Sequence, residues 1–182
     1  KLWNNYATDY RPVVELCRSA GVPFVAGNVP RTYARLVSRQ GAAALDTLPA
    51  EEKALLCPLP YPIDYQLPAY AAMRDMFAGH GGGMNPDNFI AAQALKDATM
   101  AWRLLAALSS GKQALHLNGS YHSDFHEGMV WYLQHYRPGI RVLTLSVVEQ
   151  EDLDRLDTEN LKRADFIIVV PAKMTKTYLT ED

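Results

Sequence analysis

The spacing of apolar residues predicts alternating helices and strands in the first forty positions. Apolar side chains recur at helical intervals from Asp9 to Ala20, and the pattern stops at Gly21. The short apolar run 22–27 is typical of a buried strand. A second helix is predicted over 31–38, with Asn28 as a candidate cap and Pro30 in its first turn.

The second half of the chain repeats this alternation. Asn85-Pro86 opens the longest predicted helix, which runs to about Ser109. Beyond it, strands are predicted at 113–118, 140–147 and 165–170, with helices at 125–136 and about 149–161. Strands separated by helices predict an α/β fold with a mostly parallel sheet flanked by helices.

Residues 40–84 differ in character from the rest and are predicted to form a small helical insertion in an α/β core made of 1–39 and 85–182. Prolines alternate with Tyr61, Tyr65 and Tyr70, and the segment closes on three glycines at 81–83. Its aromatic and methionine side chains are suited to covering a flat apolar ligand or forming a dimer face. Composition by itself favours an ordinary small helical core.

Composition narrows the function classes. The 182 residues include 18 basic and 20 acidic ones, a formal charge of −2, so no global basic field attracts nucleic acid. No apolar run is long enough to span a bilayer. The two cysteines exclude a disulfide-dense scaffold and a cysteine-based zinc site, and two inert thiols are the favoured interpretation.

Candidate chemistry gathers in the loops that follow the predicted strands. In open parallel sheets ligands bind beyond the carboxyl ends of the strands. The loop after 22–27 carries Asn28 and Arg31, and the loop after 113–118 carries His122 three positions beyond Gly119. A glycine there lets a ligand approach the backbone, which makes His122 the leading functional candidate, with helix capping as its structural alternative.

The other polar residues of this loop have plainer interpretations. His116 lies within the predicted strand and is interpreted as a histidine with a hydrogen-bonded ring. His126 is interpreted as a satisfied surface histidine, because its spacing from His122 lacks the rest of a helical metal motif. Ser120, His122 and Asp124 are too close in sequence to form a nucleophilic triad, so a serine hydrolase is rejected.

Asp97 stands out on the long predicted helix. It lies on the apolar stripe, one turn after Gln93, so its carboxylate should be paired or hydrogen-bonded. Arg31 is the predicted partner and Arg103 a competitor. A structural ion pair is at least as well supported as a catalytic role.

Several blocks together resemble the ChaN-like haem-binding uptake family of the Tiki superfamily. They are 22–31, Ala92-Gln-Ala-Leu-Lys-Asp97 with Met100-Ala101, and Gly119-Ser-Tyr-His122 followed by Gly128. The tail from Ser146 to Tyr178 is similar to what one subset of that family carries. The resemblance in order and spacing extends over nearly the whole chain.

The resemblance implies an exported or lipid-anchored bacterial protein, periplasmic or on the outer membrane, acting with an outer-membrane uptake partner. It implies haem held at a homodimer interface by a tyrosine, for which Tyr61, Tyr65 and Tyr70 are candidates. Tyrosinate, being hard and anionic, suits ferric iron. His122, Asn28 and Arg31 are the other expected cofactor contacts.

Two alternatives remain open. The superfamily includes metal-dependent hydrolases of the erythromycin-esterase-like type, in which His122 would serve as metal ligand or base with Arg31 and Asp97. These hydrolases resemble one another through two Gly-x-x-His motifs, and Gly119 to His122 matches the second. The first, a Gly-Glu-x-His pattern, does not occur in this sequence, and we expect it, with an N-terminal part of the fold, upstream of Lys1. The second alternative is an inactive interaction domain.

Overall fold

The computed structural model describes residues 3–78 and 85–175 of the chain. A π-helical turn at Tyr6–Tyr10 and 3-10 turns at Ala42–Thr47, Ser120–His122, Asp124–His126 and Thr158–Asn160 accompany the regular elements. The helices are α1 (Arg11–Ser19), α2 (Arg31–Gln40), α3 (Ala50–Lys53), α4 (Pro68–Ala78), α5 (Pro86–Ala107) and α6 (Met129–Tyr136). The strands are β1 (Leu145–Gln150) and β2 (Phe166–Pro171).

The hydrophobic core is built around α5, which packs against α2, α4 and α6. As predicted, Asn85 caps this helix, its side-chain oxygen accepting from the backbone N–H groups of Asp87 and Asn88. The core is completed by side chains from 42–78, namely Leu45, Leu56, Cys57, Tyr61, Tyr70 and Met73. The insertion segment therefore shares one core with α2, α5 and α6, and its division into a separate subdomain stays a prediction.

The fold is α/β, as predicted, with a small parallel sheet. β1 and β2 pair in parallel, with Leu145 opposite Phe166 and Val147 opposite Ile168. These four apolar side chains are exposed, whereas Ser146 and Gln150 on the other face of β1 are buried. The main core thus lies among the helices, and one sheet face is apolar and uncovered within the described residues.

Two of the four predicted strands are wrong. Segments 22–27 and 113–118 form no strand, and residues 23–27 and 113–118 make no backbone–backbone hydrogen bond with any described residue. A strand needs a neighbour whose backbone groups complete the ladder, and apolar patterning does not supply one. Phe24 and Leu117 are 56% and 67% exposed accordingly.

Two predicted starts also change, and one predicted helix is wrong. The strand predicted at 140–147 begins at Leu145, and the helix predicted at about 149–161 is wrong because β1 continues to Gln150. The buried Gln150 amide donates to the carbonyls of Asp152 and Arg155, which organises the following turn. α6 begins at Met129 rather than 125, since Phe125 and His126 have positive φ, which is incompatible with a helix.

No helix in the described ranges has the length and apolarity that a membrane span requires.

Candidate functional site

The predicted site residues Asp97 and His122 meet in one hydrogen-bonded group. α5 places Asp97 in the core with no exposed surface, and the 3-10 turn Ser120–His122 brings the imidazole against it. His122 Nδ1 lies 2.5 Å from Asp97 Oδ1, and the Tyr70 hydroxyl donates to Asp97 Oδ2 at 2.8 Å. Gln93, one turn before Asp97, places its amide nitrogen 3.0 Å from His122 Nδ1.

Asp97 is paired, as its position predicted, but the partner was predicted wrongly. Neither Arg31 nor Arg103 reaches it; Arg103 instead donates to the carbonyls of Ala26 and Leu55. Burial raises the pKa of Asp97, and the hydrogen bonds from His122 and Tyr70 oppose that rise. The carboxylate is thus held in the core by a phenol and an imidazole rather than by a guanidinium.

The geometry fixes the orientation of the His122 ring. When Asp97 is a carboxylate it accepts from Nδ1–H, so the Gln93 amide nitrogen next to Nδ1 makes no hydrogen bond to that atom. Nε2 makes no hydrogen bond to any described residue. The side chain is 17% exposed. A carboxylate-oriented imidazole of this kind leaves Nε2 available to accept a proton or bind a metal.

The loop that carries His122 is bound to the insertion. Glu127 Oε2 accepts from the backbone N–H of Ala69 at 2.6 Å, in the first turn of α4, where a negative charge is favourable. Gly128 has φ +52°, and a Cβ there would lie 2.8 Å from the carbonyl oxygen of His122. The close packing of this turn therefore requires glycine.

A second polar cluster holds the same loop to the sheet. Asp124 accepts from Arg163 Nη1 at 2.7 Å and from Ser146 Oγ at 3.0 Å. His126 Nε2 lies 3.1 Å from Asp165 Oδ2, which also accepts from the backbone N–H and hydroxyl of Thr144. The ring of His126 therefore has hydrogen-bond partners, as predicted. Asp124 is hydrogen-bonded to Arg163 and Ser146 and is not available for a triad.

The Asp165 cluster predicts an acid-sensitive contribution to stability. The Thr144 backbone N–H, followed by His126 and the Thr144 hydroxyl, lowers the pKa of Asp165 to about 2. A lowered carboxyl pKa stabilises the fold above its ordinary value near 3.8, and this contribution is lost as the pH falls toward 2. We expect Asp165→Asn to lower the urea midpoint at pH 7, with the difference closing below pH 4. A difference that persists unchanged at pH 2 would contradict this assignment.

The other histidine of the predicted strand and the predicted contacts Asn28 and Arg31 do not join the Asp97 group. His116 is half-buried and hydrogen-bonds Asn118 at 3.0 Å, as predicted, and a Cβ on Gly27 would lie 3.3 Å from its ring. Burial and the nearby His122 lower the pKa of His116. Asn28, next to Gly27, is exposed and accepts from the Val29 backbone N–H, so it does not cap α2. Arg31 is exposed at the first residue of α2.

The three candidate tyrosines occupy different environments. Tyr61 is buried and donates to the Ala91 carbonyl at 2.8 Å, and Tyr70 is fully buried against Asp97. Burial raises the pKa of both phenols strongly. Tyr65 is half-buried, and its hydroxyl makes no hydrogen bond within the described part of the chain. Of these three phenols, that of Tyr65 is accessible.

Comparison with models of known families shows to which family the chain is related. A model described as "Haem-binding uptake, Tiki superfamily, ChaN" matches residues 1–133. The chain belongs to this family. No curated protein and no solved structure matches significantly. The match supports haem binding in general, and it includes every residue of the Asp97 group and all three tyrosines.

The part of this ChaN-family chain beyond residue 133 contributes to the site without being covered by the family model. This tail supplies three residues that position the His122 loop, Thr144, Arg163 and Asp165. Nothing in the sequence around them identified them as residues of the site. Tyr70, one of the candidate haem ligands, donates its hydroxyl to Asp97 in the core. Between 3 and 78 and between 85 and 175, no three His, Cys, Asp or Glu side chains are grouped to hold a metal ion.

Proposed function

We propose that the protein binds ferric haem through the phenolate of Tyr65, as part of iron uptake. A bound ferric haem supplies an iron centre that takes an axial ligand, and tyrosinate is a hard anionic oxygen donor suited to it. The family relationship supports haem as the ligand. The choice of Tyr65 is carried by one observation: of the three candidates, its phenol is free of the core hydrogen bonds that hold Tyr61 and Tyr70.

The residues proposed to hold the haem suit its chemistry. The ring packs on the core, as do the partly buried Ile63 and Leu67 two positions to either side in the chain, and these side chains offer apolar surface for a porphyrin. The Arg74 guanidinium lies 5.3 Å from the Tyr65 ring centroid and supplies positive charge next to the phenol. The exposed Arg31 suits a propionate carboxylate, and Asn28 and His122 complete the proposed contacts.

We further propose that haem is held between two copies of the chain, in an exported protein that exchanges haem with an outer-membrane partner. The matched family model, described as haem-binding uptake, supports the uptake role. Gel filtration with light scattering, with and without one equivalent of haemin, tests the dimer. A monomeric mass in both samples would remove that part of the proposal.

Titration with haemin tests the main proposal. We expect a saturable shift of the Soret band with a stoichiometry of one haem or less per chain, and a charge-transfer band typical of ferric tyrosinate ligation. Apo-protein and haemin-free blanks serve as controls, and albumin provides a competitor for non-specific haem. Absorbance that rises linearly without saturation would overturn the proposal.

The Asp97–His122 pair favours metal-assisted hydrolysis as a second function. A buried carboxylate that orients a histidine is the usual support for a metal ligand or general base. In that function His122 Nε2 binds the metal or takes the proton, Asp97 orients it, and Arg31 contacts the substrate. Stoichiometric zinc, manganese or cobalt together with esterase or peptidase turnover that His122→Ala abolishes would favour it over haem binding.

A further inference from the structure

Glu127 joins the loop that carries His122 to the helix that follows Tyr65. Its Oε2 accepts from the backbone N–H of Ala69 at 2.6 Å, and the two residues are 58 positions apart in the chain. Ala69 is the second residue of α4, directly after Pro68. Because the first N–H groups of a helix have no acceptor within the helix, this one depends on the Glu127 carboxylate.

The first turn of α4 also carries the hydrogen bond to the buried carboxylate. Tyr70 donates to Asp97 Oδ2 at 2.8 Å, and Asp97 Oδ1 lies 2.5 Å from His122 Nδ1. Gly128 packs against the same carboxylate, since a Cβ there would lie 3.3 Å from Asp97 Oδ2. The contacts therefore form a closed ring that runs from Glu127 to α4, through Asp97 to His122, and back along the loop.

The backbone between His122 and Glu127 adopts a costly conformation on the way. Phe125 and His126 have φ of 57° and 62°, in the left-handed region that bulky side chains disfavour. Asp124, before these two residues, is hydrogen-bonded to β1, whereas Glu127, after them, is hydrogen-bonded to α4. Such strain persists where the surrounding contacts determine the backbone, so the position of Glu127 is closely defined.

We propose that Glu127 is a positioning residue of the site, whose carboxylate fixes α4 against the His122 loop and thereby holds the His122 ring on Asp97. It does not touch the ligand, and it acts through the first turn of α4. The inference rests on the proposed function, because it joins two of the proposed haem contacts, Tyr65 just before α4 and His122, in one unit.

The direction of the effect follows from the contacts. Without the Glu127 carboxylate, the Ala69 N–H has no acceptor among the described residues, and the first turn of α4 is free to fray. Tyr70 lies in that turn, so fraying withdraws its hydroxyl from Asp97 and loosens the ring of His122. Glutamine at position 127 keeps an acceptor oxygen of the same reach and should preserve the contact.

The first measurement is the NMR signal of the proton on His122 Nδ1, in apo-protein labelled with ¹⁵N-histidine at pH 7. A proton held on a buried carboxylate is protected from exchange, and the signal is assigned by its absence in His122→Gln. We expect Glu127→Ala to lose this signal and Glu127→Gln to keep it. Glu52→Ala is the matched control: it removes a carboxylate that accepts from the Tyr33 hydroxyl and joins α3 to α2, and it should leave the signal unchanged.

Haemin titration of the same variants measures the effect on the ligand. We expect Glu127→Ala to weaken haemin binding about three- to tenfold and Glu127→Gln by less than about twofold, with no change in Glu52→Ala. Glu127→Asp, one methylene shorter, replaces Glu127→Ala if that variant does not fold.

Three results would overturn the inference. A lower urea midpoint in Glu127→Ala with the His122 signal retained would reduce Glu127 to a helix cap. Loss of the signal with unchanged haemin affinity would separate the ring from the ligand. Glu127→Gln that keeps the signal but binds haemin as weakly as Glu127→Ala would indicate a direct contact between the carboxylate and the ligand. If the wild type binds no haemin, the proposed function fails, and the NMR comparison alone decides whether Glu127 positions His122.

Discussion

Replacement of Asp97 by alanine is expected to destabilise the protein by about 3–5 kcal/mol. The carboxylate has no exposed surface, and it is the acceptor for both the Tyr70 hydroxyl and His122 Nδ1. Its removal leaves a fully buried phenol without its partner and opens a small cavity beside α5. The free energy of unfolding in urea, measured at pH 7, gives the magnitude.

Asp97→Asn and Glu51→Ala are the comparisons that make this measurement specific. The amide keeps the shape of the carboxyl and one acceptor oxygen, so we expect a loss of about 1–2 kcal/mol. Glu51 is exposed on the short α3, and its removal should change stability by less than about 0.5 kcal/mol. A loss in Asp97→Ala no larger than that of Glu51→Ala would refute the hydrogen-bonded group.

The pH dependence of the Asp97 effect should have the opposite sign to that of Asp165. Burial raises the pKa of Asp97, so the folded state binds a proton more tightly than the unfolded state does. The stability of the wild type relative to Asp97→Asn should therefore increase as the pH falls toward the ordinary carboxyl value of 3.8. For Asp165 the corresponding advantage over its asparagine variant disappears in acid. Urea midpoints from pH 8 to 3 distinguish the two carboxyls.

The position of Asp97 could be predicted from the sequence, whereas its partners could not. Helical spacing places it on the buried stripe of α5, because burial follows from the 3.6-residue period. Its partners lie 25 and 27 positions away, at His122 and Tyr70. Charge complementarity pointed to Arg31, but the turn 120–122 and α4 determine which donors arrive. That placement depends on packing between distant segments.

The strands also show what the sequence pattern alone cannot predict. Short apolar runs predicted strands at 22–27 and 113–118, yet the neighbouring strands that would complete their hydrogen bonding are absent from the described residues. In β1 the alternation is present, but Leu145 and Val147 are exposed while Ser146 and Gln150 are buried. A period of two shows that two faces differ, and only the tertiary structure decides which one is covered.

Sequence patterns correctly predicted those features that depend on residues close together in the chain. Asn85-Pro86 predicted the start of α5, because an amide side chain followed by proline satisfies and preorganises the first turn. The family blocks likewise identified the relationship from short motifs. The proposal of Tyr65 over Tyr61 and Tyr70 uses the burial of each side chain, which their spacings of four and five residues do not reveal.

Tyr65→Phe is expected to abolish the tyrosinate charge-transfer band and to weaken haemin binding by at least about tenfold to a hundredfold. Loss of a residue that merely supports a metal ligand has an effect of this size, and loss of the ligand itself should be no smaller. The substitution removes one oxygen and keeps the ring beneath Arg74, so the fold and the cation–π contact are retained. Haemin titration with circular dichroism of the apo-protein measures both quantities.

Tyr61→Phe is the matched control, since it removes the same atom four positions earlier. Its hydroxyl donates to the Ala91 carbonyl, so we expect a stability loss of about 1 kcal/mol with the haem spectrum unchanged. Retention of the charge-transfer band in Tyr65→Phe together with its loss in Tyr61→Phe would reassign the ligand. In that case the buried Tyr61 phenol would have to leave its hydrogen bond on α5 to reach iron, because a phenol committed to a core carbonyl cannot also bind a metal outside the core.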